Sequence, residues 1–252
     1  NLTFRDDGPT LTGVGLGSAV DVDESDVLPQ SDTSLASIIA FTADFGADGD
    51  GGTAFTIAVT DSDSGLATAV GDQPITLVQV DPTTIEGQFG AGQVAFTVEI
   101  NTDGTLTVTQ NVALEHEIDG DDSAGEHNDT LDLTGKISAT VTITDGDGDT
   151  TSGSTDIGGA IEFFDDGPSV VLSGADIDLT VADATLGTDA MLSFAGAFTV
   201  LGGEDGLAGT AYTLSVTDGS DSGIVDLATG ENVFLFNEGG VVVGRAGTDA
   251  AD

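Results

Sequence analysis

Cysteine is absent from the 252 residues. Disulfides, which often hold small secreted domains together, are therefore excluded, and metal ions are the natural substitute. Basic residues are almost as scarce: Arg5, Lys136 and Arg245 stand against 45 acidic residues, for a formal net charge of −42. Contact with a phosphate backbone needs Lys and Arg, so nucleic acid is excluded as a partner, and an anionic membrane surface would repel such a chain. Tryptophan is absent and tyrosine occurs once, which argues against a broad aromatic platform for sugars. The longest apolar stretch, residues 190–201, is too short and too rich in Gly, Ser and Thr to enter a membrane. The start of the chain has no charged-then-apolar signal layout, and the chain reads as a piece of something longer.

High net charge with few aromatics is also the signature of disorder. Here, however, hydrophobic residues make up 38% of the chain and fall in ordered alternating runs. A folded chain that needs cations to neutralise it fits better. Internal repetition supports this. Phe4-Arg5-Asp6-Asp7-Gly8-Pro9 returns as Phe164-Asp165-Asp166-Gly167-Pro168, with Asp6 and Asp165 159 positions apart. At offsets between 157 and 160, Phe41-Thr42 recurs as Phe198-Thr199, Gly52-Thr53-Ala54-Phe55-Thr56 as Gly209-Thr210-Ala211-Tyr212-Thr213, and Val59-Thr60-Asp61 as Val216-Thr217-Asp218. A fixed period marks an array of similar modules. The expected division is a complete repeat over 1–163 and the first half of a second copy over 164–252. The second copy stops where residues near Gly90 would fall in the first. That suggests a midpoint, either between two half-modules (1–90 and 91–163) or where another domain is inserted.

Thr53–Thr60, Ile75–Val80, Gln93–Ile100, Thr105–Gln110 and Leu131–Thr144 alternate apolar and polar residues with period two, the pattern of half-buried strands. Asn101-Thr102-Asp103-Gly104 reads as a hairpin turn. Tyr212–Val216, Val233–Phe236 and Val241–Val243 continue the pattern in the second copy. Ser34–Phe41 is the one stretch with the character of a helical turn. Short strands with Gly/Asp/Thr turns and no βαβ rhythm predict an all-β fold: antiparallel, Ig-like β-sandwich modules in tandem.

Three stretches carry possible chemistry. In Asp145-Gly146-Asp147-Gly148-Asp149, alternate carboxylates separated by Gly suit a loop wrapped around Ca²⁺, which takes six to eight oxygen ligands. It is neither an EF-hand, since Thr150 stands where that loop needs Gly, nor a tandem RTX nonapeptide. A solvated acidic hairpin is the plain alternative. The two Asp-Asp-Gly-Pro stretches, with Asp6, Asp7, Asp165 and Asp166, read as module boundaries, because Pro blocks ladder pairing and Gly permits a sharp turn. Their carboxylates would share calcium with Asp21, Asp23, Glu24 and Asp26 of the following module and with Asp145, Asp147 and Asp149 of the preceding one. Glu115–Asp132 gathers both histidines, His116 and His127, with several carboxylates, but has no zincin spacing and no basic residue to stabilise a developing anion. A flexible acidic loop is expected there, with a further calcium as an option, and no enzyme.

Phe4–Pro9, the run Phe41-Thr42-Ala43-Asp44-Phe45-Gly46-Ala47-Asp48-Gly49, Val59-Thr60-Asp61, Thr144–Thr150 and Phe163–Pro168 together resemble the long repeat (extender-type) domains of type I secreted RTX adhesins, the large repetitive surface proteins of bacteria. The resemblance implies an extracellular, calcium-rigidified, non-enzymatic spacer on the bacterial cell surface. Its partners would be neighbouring repeat modules and an adjacent or inserted ligand-binding domain, and its role attachment and biofilm formation. The chain departs from its own first copy where Thr180-Val181-Ala182-Asp183 replaces the acidic Val22-Asp23-Glu24. A rival expectation is a module that itself binds sugar or peptide, through calcium in the Glu115–Asp132 or the Gly46–Gly52 loop.

Overall fold

Ile137, Ala139, Val141 and Ile143 alternate with Ser and Thr, so the segment presents one apolar and one hydroxylated face when extended. It forms a strand over Ile137–Asp145 whose burial alternates from end to end. The computed structural model describes residues 2–3, 6–24, 28–116, 129–175, 177–181, 190–203 and 206–247. Numbered along the chain, this strand is β12. It pairs antiparallel with β5 (Asp50–Val59) on one side and β13 (Thr150–Asp156) on the other. On its outer face Thr140 and Thr142 share hydrogen bonds of 2.8 Å with Ser154 and Ser152.

A six-stranded antiparallel sheet forms the other large layer, in the order β3 (Gln30–Thr33), β10 (Leu106–Gln110), β9 (Gln93–Ile100), β8 (Thr84–Phe89), β7 (Gln73–Asp81) and β6 (Asp63–Thr68). A third sheet places β14 (Ile161–Phe164) between β11 (Thr130–Asp132) and β2 (Val20–Asp23), and β2 runs parallel to β14. The pair β1 (Thr10–Leu16) and β4 (Ile39–Asp44) completes the first module. Its buried side chains form one core, in which the rings of Phe96 and Phe163 meet at 5.0 Å between centroids. The fold is an all-β antiparallel sandwich. Among the described residues no helix is long and apolar enough to cross a membrane.

The expected strands appear close to their predicted bounds, except that Leu131–Thr144 is divided between β11 and β12, in different sheets, by a turn at residues 134–136, and with two further differences. Ser34–Phe41 makes no helical turn. Ser34 instead pairs across the sheet with Leu106, donating N–H to its carbonyl at 2.9 Å and accepting its N–H on Oγ at 3.0 Å, and the chain enters β4 at Ile39. The second difference is Tyr212–Val216, which is not a strand and is exposed except for the half-buried Val216. Its first-copy counterpart, β5, is held by β12, and a counterpart of β12 does not occur within these 252 residues.

Residues 1–90 and 91–163 share strand pairs, since β8 pairs β9, β3 pairs β10 and β5 pairs β12. The position near Gly90 is a hairpin inside one sheet. By compactness the chain divides into Asn1–Val171 with Thr199–Leu207, and Leu172–Phe198 with Ala208–Asp252. Within the partial repeat, β15 (Ser169–Leu172) pairs β16 (Phe198–Leu201) as β1 pairs β4. The hairpins β17 (Ser220–Val225), β18 (Asn232–Glu238) and β19 (Val241–Ala246) match β6, β7 and β8. Every fully buried apolar residue among those described lies between Val20 and Phe163.

Two outcomes follow. Amide exchange should be at least about a hundredfold slower over Thr53–Val59 than over Thr210–Val216, as measured by hydrogen exchange with mass spectrometry. Equal rates would contradict the dependence of β5 on β12. Gly87 lies directly beneath the buried Phe96 ring, where an added Cβ would come within 2.5 Å of ring carbons. Gly87→Ala is therefore expected to cost about 1–3 kcal/mol in urea denaturation, through overpacking.

Candidate metal centre

The apolar phase of β12 does not end with an apolar residue. Asp145 continues the series Ile137, Ala139, Val141, Ile143, and its side chain is carried inward to 2% exposure. A bulge makes this possible: Thr144 pairs with Gly52 and Asp145 with Asp50, leaving Gly51 out of register. Only glycine fits at Gly51, because a Cβ there would lie 1.9 Å from the Asp145 carbonyl oxygen. The β12–β13 turn then closes over the carboxylate. Gly148 N–H and Asp149 N–H donate to Asp145 Oδ1 at 3.1 and 2.8 Å, while Asp145 Oδ2 is buried with no hydrogen-bond partner.

Further carboxylates lie near the Asp145 side chain. One ligand oxygen each from Asp145, Asp147 and Asp149 lie within 4.8 Å of one another, as do those of Asp6, Asp48 and Asp147. Asp147 belongs to both groups, so five carboxylates form one cluster. Asp48 arrives on a single 3-10 turn, Gly46–Asp48, which links β4 to β5. Gly146 lies against this turn so closely that a Cβ would meet the Asp48 carbonyl at 2.2 Å. The N-terminal arm is latched to the same turn. Asp7 Oδ2 accepts the Ala47 N–H at 3.3 Å, and a Cβ on Gly46 (φ +69°) would come within 2.8 Å of that oxygen.

The electrostatic consequence is concentrated on two groups. Asp147 is pushed up to about 6, first because in its protonated form it can hydrogen-bond to the Asp145 carboxylate, then by partial desolvation and by the charges of Asp6, Asp145 and Asp48. Asp48 is also raised, by burial first and then by Asp6, Asp7, Asp145 and Asp149. Among the described residues no protein cation offsets them nearby. Among the described residues of the first unit the one Lys or Arg is Lys136, which pairs with Asp61 at 2.8 Å. It precedes the opposite end of β12, about 30 Å away at the rise of an extended strand. Arg5 lies outside the described residues.

The other expected ligands lie elsewhere. Glu24 and Asp165 come together with His116, because β2 and β14 run side by side and end at the same level. Asp166 packs on Gly203 (φ +71°), where a Cβ would approach its Oδ1 to 2.5 Å, the same latch that Asp7 makes with Gly46. Asp21 is exposed and Asp23 half-buried on β2, and neither joins a three-ligand group among the described residues. Asp26, and the Glu115–Asp132 loop over 117–128 with His127, lie outside the described residues. The expected sharing across module boundaries is therefore corrected in one respect. Asp6 meets the Asp145–Asp149 turn of its own module, the one that follows it in the chain, and Glu24 meets the Asp-Asp-Gly-Pro stretch at that module's exit.

Sequence reasoning missed Asp48 and His116 as members of these groups. Asp48 carried a signal, since Gly46-Ala47-Asp48-Gly49 recurs as Gly203-Glu204-Asp205-Gly206. Because Asp147 is protonated more readily folded than unfolded (ordinary value 3.8), its contribution to stability is present in full below about pH 4 and is lost as pH rises through about 6. The melting temperature of the metal-free protein should accordingly fall between pH 4 and 7, and Asp147→Asn should flatten that fall. An identical pH profile for the variant would contradict the assignment.

Compared with known proteins, the chain matches one family, described as a domain of unknown function (DUF5801), over residues 19–158 and again over 178–252. No curated protein and no solved structure matches it.

Proposed function

The chain belongs to the DUF5801 family, and we propose that it serves as a calcium-braced spacer module of a bacterial surface adhesin of the RTX type. The observation that carries this is Asp145 Oδ2, a buried carboxylate oxygen without a hydrogen-bond partner, on a residue grouped with the exposed Asp147 and Asp149, of which Asp147 also groups with the exposed Asp6 and Asp48. A buried charge is tolerated when paired or bound to metal, and here the protein offers no nearby cation among the described residues. The donor set is all oxygen. It fits a hard ion that accepts many carboxylate ligands, and Ca²⁺ suits it better than Mg²⁺, which keeps several waters and strict octahedral geometry. Asp6, Asp48, Asp145, Asp147 and Asp149 would hold the ion and pin the arm before β1, the turn before β5 and the β12–β13 hairpin to one another. Extracellular calcium modules bind in the range of about 10⁻⁴–10⁻³ M, which is consistent with a type I secreted protein at the cell surface.

The internal repetition, and motifs that resemble those of RTX adhesins, support a role as a spacer between attachment points, in biofilm or cell adhesion, with neighbouring repeats as partners. The same features favour a structural module over an enzyme, since among the described residues no basic group stands by the carboxylates to stabilise an anion. A second reading, a module that itself binds sugar or peptide, has one observation in its favour. An open groove of about 490 Å³ on β7 and β8 is lined by Gln73, Thr76, Gln88 and Phe89, a pairing of amide and aromatic groups.

Calorimetry and small-angle scattering with and without CaCl₂ test the first reading. At a hundred times Kd, calcium adds about 2.7 kcal/mol, a rise of about 5–10 °C in melting temperature for a chain of this size. Asp145→Asn should remove most of that rise. No change in melting temperature or particle dimensions would overturn the calcium brace. A glycan array probed in the presence of calcium would then decide the second reading.

A further inference from the structure

A second buried group of ligands lies outside the acidic cluster and has different chemistry. Val20, Val22 and Glu24 share the core-facing phase at β2, and Ile161, Phe163 and Asp165 do the same at β14. The two parallel strands end together, with Glu24 N–H donating to the Phe164 carbonyl at 3.0 Å. His116 reaches the same place on a segment pinned to β6, where Ala69 N–H bonds to Ala113 O at 3.0 Å and Glu115 N–H to Ala67 O at 2.9 Å. The side chains of Glu24 and His116 are 0% and 2% exposed.

Glu24 Oε1 accepts from Gln110 Nε2 at 2.6 Å and from Leu114 N–H at 2.9 Å. Its Oε2 is buried with no hydrogen-bond partner, and so is Asp165 Oδ1. One ligand atom from each of Glu24, His116 and Asp165 lies within 4.8 Å of the others. The distance from His116 Nε2 to Glu24 Oε1 is 3.6 Å, too long for a hydrogen bond. Bonds of about 2.0–2.2 Å to a tetrahedral ion put neighbouring ligand atoms about 3.4 Å apart, so the spacing is close to that of two ligands with a metal between them.

We propose that Glu24, His116 and Asp165 form a binding site for a borderline divalent metal ion of the Zn²⁺ class, separate from the calcium cluster. An imidazole nitrogen among two carboxylates selects this class over Ca²⁺, which prefers oxygen alone. Two carboxylates and a neutral imidazole carry two negative charges, which a divalent ion cancels. The site ties the entry strand β2 to the exit of β14 and to the segment after β10. It does not depend on the calcium proposal, because it shares no residue with the Asp145 cluster.

Isothermal titration of the 252-residue chain with ZnCl₂ in excess CaCl₂ tests it. One equivalent of Zn²⁺ should bind undiminished by calcium. His116→Asn and Glu24→Gln should each weaken that binding by at least about tenfold, while Asp147→Asn should leave it unchanged. Should the buried variants fail to fold, Co²⁺ added to the intact wild-type chain should shift the ring-proton resonances of His116 in NMR spectra. Absence of zinc binding, its displacement by calcium, an undiminished affinity in His116→Asn, or unshifted His116 resonances would overturn the proposal. Failure of the calcium brace would instead be seen in the calcium-dependent melting temperature, which this titration does not measure.

Discussion

The pairing of β12 with β5 is the interaction on which the rest of the first module depends. It covers the full length of β12 and, through its bulge at Gly51, sets Asp145 where the carboxylate turns inward. The same pairing brings the turn before β5, with Asp48, against the turn after β12, with Asp147. Core and candidate site are thus products of one strand pair. The partial second copy acts as an internal control. The sequence of β5 recurs there as Gly209-Thr210-Ala211-Tyr212-Thr213, yet that segment is exposed and unpaired in any sheet. Strand propensity is a weak preference that needs a partner to be realised, and the hairpins with local partners, β17 to β19, form without one from afar.

Charge explains why the acidic residues are not simply spread over the surface. With 45 acidic and three basic residues, self-repulsion opposes compaction everywhere. Several carboxylates escape this by local means. Asp61, Asp81, Asp103 and Asp226 accept hydrogen bonds from residues close by in turns or across a strand, and each is held below the usual carboxylate range. In the Asp6–Asp48–Asp145–Asp147–Asp149 cluster the opposite holds for Asp48 and Asp147, which are raised by the carboxylates around them. Concentrating repulsion at one point within a fold otherwise free to disperse it makes that point the place where a cation has most effect.

The strands and the sandwich were legible because period-two alternation is a local property, and β9 and β10 fall almost where the pattern puts them. The sharing of ligands was legible only in part. Asp6 and the Asp145–Asp149 turn do meet, but the module to which each belongs follows from long-range pairing, which one sequence does not display. Glu24 was expected beside Asp6 and stands beside Asp165, because the parallel partnership of β2 and β14 spans most of the repeat. His116 was placed in a flexible acidic loop, since nothing in its neighbours reveals that Leu114 and Glu115 are pinned to β6.

One regularity was present in the sequence and easy to pass over. Val20, Val22, Glu24; Leu106, Val108, Gln110; Ile137, Ala139, Val141, Ile143, Asp145; and Ile161, Phe163, Asp165 are apolar series extended by one polar residue in the same phase. All four terminal residues turn inward, Glu24, Gln110 and Asp145 to full burial and Asp165 in part. Were folding alone at stake, an apolar residue in each carboxylate position would serve better, because a buried charge without a partner costs several kcal/mol. On the calcium and zinc proposals, carboxylates kept in core register at strand ends make the ends of the sandwich depend on a bound cation. In a chain with no cysteine and three basic residues against 45 acidic ones, such a cation would be drawn from outside it.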